Sequence, residues 1–322
     1  MADVVATPTD VIPLHPRRRL LGTASGGSTS LRRGGRADVA SSRPYRPGDH
    51  FRTIDWKASA RLSSARNSDE FIVRERFAEE IPAVVIVVDR RPEMALYPSE
   101  LPWLHKPAAV HAAARVLVAS ALNQRSLVSY LDFATHPGDT SAGTPFWEPP
   151  RAQSNVWRAG LRERLDDYLA RAFDAPEDNV SRALAFLATV RSVIPIGSFV
   201  FVVSDFIEPT PAELWGQAVN QGWDVVPVIV QDPVWEQSFP QIDGVMMSIA
   251  DATGTSARPV RLEGGEVDER RRSNRARLEV LQRDFVRLGL DPVLISDEAD
   301  HAVHAALLEW AQARLGAGRG TQ

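Results

Sequence analysis

No cysteine occurs among the 322 residues, which removes disulfides, thiolate metal sites and cysteine nucleophiles together. Any chemistry in this chain runs on oxygen and nitrogen. Lysine is nearly missing as well, with only Lys57 and Lys106 beside 35 arginines. The longest purely apolar runs, such as Ala83 to Val88, are far short of the roughly 18 to 20 residues that a spanning helix needs. "RRRLLGTASGG" (17–27) has the arginines of an export signal but no apolar stretch after them. The expectation is a cytoplasmic protein with no membrane span.

Other motifs are lacking too. "GTASGGST" (22–29) has phosphate-loop glycines, but no lysine follows the last one and no buried strand precedes it. No G-x-G-x-x-G follows any apolar run, so no nucleotide is expected. No G-x-S-x-G elbow occurs, and the histidines, including the "HAVH" pair (301–304), show no metal-ligand spacing.

What is present is a globular composition, 44% hydrophobic with a net charge of -4. That charge hides an asymmetry. Residues 1–66 carry twelve Lys or Arg against five Asp or Glu, a local +7 that leaves -11 for the remainder. A basic front on an acidic body favours contact between the two halves, or an acidic partner for the front, over a continuous nucleic-acid footprint, so no nucleic-acid partner is expected.

From residue 81, "IPAVVIVVDRR" is a β-branched run of the kind that a strand covered on both faces requires. Helical and strand patterns then alternate: helices over 106–124, 154–173, 179–190 and 211–222, with strands over 126–133, 198–206 and 223–232. A hairpin (244–262), a long charged helix (266–289), a last strand (292–297) and a terminal helix complete the series. This order predicts an α/β fold, a doubly wound and mainly parallel sheet flanked by helices, with ligands beyond the carboxyl ends of its strands. Asp89 and Asp205 fall on that edge. The domain reading is a mobile tail over 1–34, a small β-containing subdomain of short strands over 35–80, the main domain over 81–315 and a short tail over 316–322.

The densest chemistry lies in "RPYRPGDHFRTIDWKASAR" (43–61). Asp49, Asp55 and Lys57 have the residue types of a metal-dependent nuclease, but a spacing of six positions between the acids, just after Pro47 and Gly48, scarcely leaves room for a hairpin. The stretch resembles the signature of the domain of unknown function 58 family: Arg43, Tyr45, Pro47, Gly48, Asp49, Arg52, Ile54, Asp55, Trp56, Ala60 and Arg61 all match, and "FIVRERFAEE" and "DRRPEM" follow as in that family.

The resemblance implies a von Willebrand factor A-like, Rossmann-type domain without established enzymatic activity, working as an adaptor beside a MoxR-type AAA+ ATPase. It also implies a metal motif after the first buried strand. Here that motif reads Asp89-Arg90-Arg91-Pro92-Glu93, with Arg91 and Glu93 where hydroxyl ligands would stand, and only Asp178, Asn179 or Ser181 is available for the later threonine. Asp89 and Asp205 could hold Mg²⁺ only with Arg91 turned away. The expectation is that Arg90 or Arg91 pairs with Asp205 and no cofactor is bound; the alternative is a metal-dependent hydrolase using Asp89, Glu93 and Asp205. In the signature itself, Trp56 and Ile54 are expected to be buried, while Asp49, Arg52, Asp55 and Arg61 satisfy one another as a polar clasp.

Overall fold

A computed structural model describes residues 11–16, 39–45, 54–66, 71–76, 83–95, 103–136, 143–150, 161–242, 244–250 and 257–317. The chain divides into two compact units, Arg18–Ile81 and Met1–Arg17 joined with Pro82–Gln322.

In the smaller unit, β1 (Val39–Pro44) and β2 (Ile72–Arg76) pair antiparallel with Arg43 opposite Val73, and helix α1 (Trp56–Arg66) lies between them in sequence. Ile54 forms a single bridge with Val73, and both side chains are buried. The helix accompanies the short strands expected over 35–80. Its cause is local: Asp55 caps the first turn by accepting from Ala58 N at 3.1 Å. Ser59 Oγ donates to the Asp55 carbonyl (2.7 Å) and accepts from Ile72 N (2.8 Å), which ties α1 to β2.

The larger unit is built on a six-stranded sheet of β3 (Val84–Val88), β4 (Val128–Asp132), β5 (Phe146–Glu148), β6 (Phe199–Ser204), β7 (Asp224–Val230) and β10 (Val293–Ile295). The spatial order is β10-β7-β6-β3-β4-β5, and every pairing is parallel except β4 with β5. β8 (Met246–Ala250) and β9 (Ala257–Arg261) form the separate antiparallel pair read from the sequence.

Alternation along the strands supplies two cores. Val84, Ile86 and Val88, with Phe199, Phe201 and Val203, face α2 (Lys106–Asn123), α3 (Leu161–Leu169) and α7 (Asp300–Ala317). Val85, Val87, Val200 and Val202 face α4 (Asn179–Thr189), α5 (Ala212–Asn220) and α6 (Gly264–Arg287). Strands buried on both faces explain the uninterrupted β-branched runs.

Residues 11–16 overturn part of the mobile-tail reading. Ile12 and Leu14 are 2% and 4% exposed within the first core, and Ile12 N donates to Ser120 Oγ at 2.9 Å. The alternation of apolar residues with Pro13 and His15 is a short extended segment that buries one side.

The strand order reverses between β3 and β6. The chain winds from β3 outward to β4 and β5, then returns to β6 and continues the other way. At such a switch point adjacent loops diverge and leave room beyond the carboxyl ends of the two strands.

Candidate functional site

Asp89 follows β3 and Asp205 follows β6, so the switch point brings together two carboxylates 116 positions apart in sequence; both are fully buried. Isolated buried carboxylates would cost several kcal/mol each. The guanidinium of Arg91, 3% exposed, lies against both. Its Nε donates to Asp89 Oδ1 and Oδ2 (3.1 and 2.9 Å), and its Nη2 donates to Asp89 Oδ2 and Asp205 Oδ1, each at 2.7 Å. Asp89 also accepts from Arg91 N (3.0 Å), Asn179 Nδ2 (2.8 Å) and Ser204 Oγ (2.6 Å). Of the three residues open for the late hydroxyl position, Asn179 is therefore the one that reaches Asp89.

The second half of the network comes from residues that the sequence reading missed. Lys106, the first residue of α2 and 1% exposed, donates to Asp205 Oδ2 (3.0 Å) and to Glu236 Oε1 (2.6 Å). Glu236 Oε2 accepts from Asp232 N (2.8 Å), while Asp232 accepts from the backbone N–H groups of Leu104, Val234 and Trp235. One signal for Lys106 was available. In a chain that writes arginine 35 times out of 37, a lone lysine opening an apolar helix marks a place for a compact point charge rather than a planar fork.

The electrostatics follow from this packing. Burial works against the charge of Lys106, but Asp205 and Glu236 outweigh it and hold its pKa above the usual value. Burial works against the Asp205 carboxylate too, yet Lys106 and Arg91 hold it below the usual aspartate value. Glu236 goes the other way: burial and the neighbouring Asp205 raise it despite the stabilising Lys106. Arg91 is kept charged because Asp89 and Asp205 overcome its desolvation.

Arg90 and Arg91 separate to different tasks. Arg90, fully buried, donates to the carbonyls of Leu169 (3.1 Å), Tyr168 (2.8 Å) and Arg171 (2.8 Å) and lies over the Phe173 ring. It closes the carboxyl end of α3, where free carbonyls and the helix dipole favour a cation. Arg91 is therefore the residue that pairs with Asp205. Directly after Asp205, Phe206 adopts the left-handed region (φ 51°), a conformation that a bulky residue enters only when its surroundings enforce it. The resulting turn lets Ile207 N donate to Asp205 Oδ1 at 3.0 Å.

Other expected residues do not join this network. Glu93 is half-buried on the short 3-10 turn Pro92–Ala95, and its Oε2 has no hydrogen-bond partner among the described residues. Among those residues, no group of three or more His, Asp or Glu is arranged to hold a metal ion. The residues as placed do not fit Mg²⁺, because Arg91 occupies the carboxylate oxygens such an ion would need.

Part of the expected clasp falls on described residues. Trp56 is 60% exposed rather than buried, Arg61 is exposed without an ion pair among the described residues, and Asp55 acts as a helix cap. Only Ile54 lies buried as expected. Tyr45 is half-buried and donates its N–H to the Phe71 carbonyl (2.8 Å). Asp49 and Arg52 lie outside the described residues, as does the side chain of Arg43.

A family model described as "Protein of unknown function DUF58" matches residues 41–283. The chain belongs to this family. No curated protein matches it. Among solved structures it is similar to the conserved hypothetical protein BatB from Bacteroides thetaiotaomicron, at 15% identity and a TM-score of 0.38 over 72% of this chain and 99% of that one. It is also similar to an aerotolerance-related membrane protein from Bacteroides fragilis NCTC 9343, at 17% identity and a TM-score of 0.38 over 72% and 99% of the two chains. An uncharacterized membrane spanning protein from Vibrio fischeri matches at 12% identity and a TM-score of 0.23, over 73% and 98%. Likenesses this distant add nothing to the fold read from the sheet order. Among the described residues of this DUF58 chain, no helix is long and apolar enough to cross a membrane.

Proposed function

We propose that this DUF58 protein is a non-enzymatic interaction protein, whose partner, as the family resemblance implies, is a MoxR-type AAA+ ATPase acting in the assembly or maturation of other proteins. The observation that supports the non-catalytic half is the Arg91 bridge. A hydrolytic site at this sheet edge would need Asp89 and Asp205 free to bind an ion or activate water. Here both carboxylates are saturated by internal donors, and Glu93 is not hydrogen-bonded to them. Arg91 and Lys106 supply the positive charge that a divalent ion would otherwise bring, and the edge is left as a rigid, water-excluding platform.

The test has two arms. Purified chain screened for turnover of ester, phosphate and peptide substrates with Mg²⁺ and Mn²⁺ should show none. Turnover that disappears in Asp89→Ala would sink the reading. Sedimentation of the chain with a MoxR-type ATPase from the same host should show a complex, and independent sedimentation at micromolar concentrations of both would remove the proposed partner.

A further inference from the structure

The family signature contains an aromatic residue that the fold does not bury. Among the described residues of the small unit, Ile54 and Val73 are buried apolar side chains, and Ser59 is the one residue of α1 that is fully buried. Trp56 remains 60% exposed and Phe71 43% exposed, with ring centroids 5.8 Å apart at 78°; Tyr45 meets Phe71 in the same edge-to-face manner at 6.4 Å. Large aromatic side chains left in water at one place mark interaction surfaces, because indole and phenyl rings bring much contact area at low entropic cost.

Charge identifies the occupant. Lys57 and Arg61, four positions apart on α1 and thus on one side of it, are both exposed, and neither makes an ion pair or side-chain hydrogen bond among the described residues. The unit Arg18–Ile81 carries thirteen Lys or Arg against eight Asp or Glu, a net of +5. Ring geometry separates protein from nucleic acid. Single strands are held by aromatic faces open for successive bases, whereas these rings pack edge to face against each other. We propose that the exposed Trp56–Phe71 pair, together with Lys57 and Arg61, binds an acidic segment of a partner protein. This takes from the functional reading only that the chain works by binding protein.

A photo-crosslinking residue placed at exposed Ala60 of the full chain in its native host should capture a protein segment of net negative charge. The same residue at exposed Val286 on α6 serves as the control. The mapped segment, synthesised and titrated by fluorescence anisotropy, should bind the full chain. Its affinity should fall at least about tenfold in Trp56→Ala and in Lys57→Glu/Arg61→Glu, and should weaken with added salt. Both variants should melt with the parent, since the altered groups are exposed. The inference is overturned by a captured basic segment, a second copy of the chain, no capture above the Val286 control, or binding of decathymidylate that Trp56→Ala abolishes. Each of these leaves the turnover screen unaffected, so this inference and the non-catalytic reading fail separately.

Discussion

Arg91→Ala is expected to destabilise the larger unit by about 3 to 5 kcal/mol, the cost of breaking a buried ion pair from one side. The structure locates that cost at Asp89. Asp205 keeps the Lys106 ammonium at 3.0 Å and the Ile207 N–H, whereas Asp89 retains Asn179, Ser204 and a backbone N–H but no cation. At roughly 2 to 4 °C per kcal/mol, the melting temperature should fall by about 6 to 20 °C in calorimetry at pH 7. Arg91→Lys should recover only part, since a point charge cannot bridge two carboxylates as the fork does. Arg91→Ser/Glu93→Ser should gain a Mg²⁺-dependent stabilisation of about 2.7 kcal/mol at a hundredfold excess over Kd, while the native chain gains none. A melting point within about 2 °C of the parent, or a native Mg²⁺ shift lost in Asp205→Ala, would refute this reasoning.

Three further outcomes are expected. Asp55→Ala should cost the small unit about 0.5 to 2 kcal/mol, as for a lost N-cap, and Asp55→Ser should recover most of it in denaturant titrations; a loss above about 3 kcal/mol would mean a buried ion partner instead. Arg90→Lys should cost about 3 kcal/mol or more by leaving helix-terminal carbonyls unpaired, with faster amide exchange confined to 161–169; unchanged exchange there would contradict its capping role. The Glu236 carboxyl, followed by its ¹³C shift, should titrate above the usual glutamate value. Because that raised value makes the fold bind the proton more tightly, stability from this group should rise as pH falls between the folded and unfolded values, and a depressed midpoint would reverse the assignment.

The sheet was legible because each buried strand satisfies the same local condition over consecutive residues. "VVIVV" and "FVFVVS" are apolar on both alternating sets, and a loop must follow each, so Asp89 and Asp205 could be placed at the carboxyl edge from sequence alone. The helix at 56–66 was not legible, since its hydrophobic periodicity is weak and, beside the Asp55 cap, Ser59 supports it by reaching across thirteen positions to Ile72 N. Nor could the sequence choose between Arg90 and Arg91. Their separation depends on the carbonyls at the end of α3, some 80 positions away, which take one guanidinium and leave the other to the carboxylates. Lys106 meets Asp205 across 99 positions and Glu236 across 130, distances over which only the parallel winding of the sheet decides what meets. Trp56 shows the same boundary from the other side. Its residue type invites burial, but burial is a property of what packs above a side chain, and that is settled only in three dimensions.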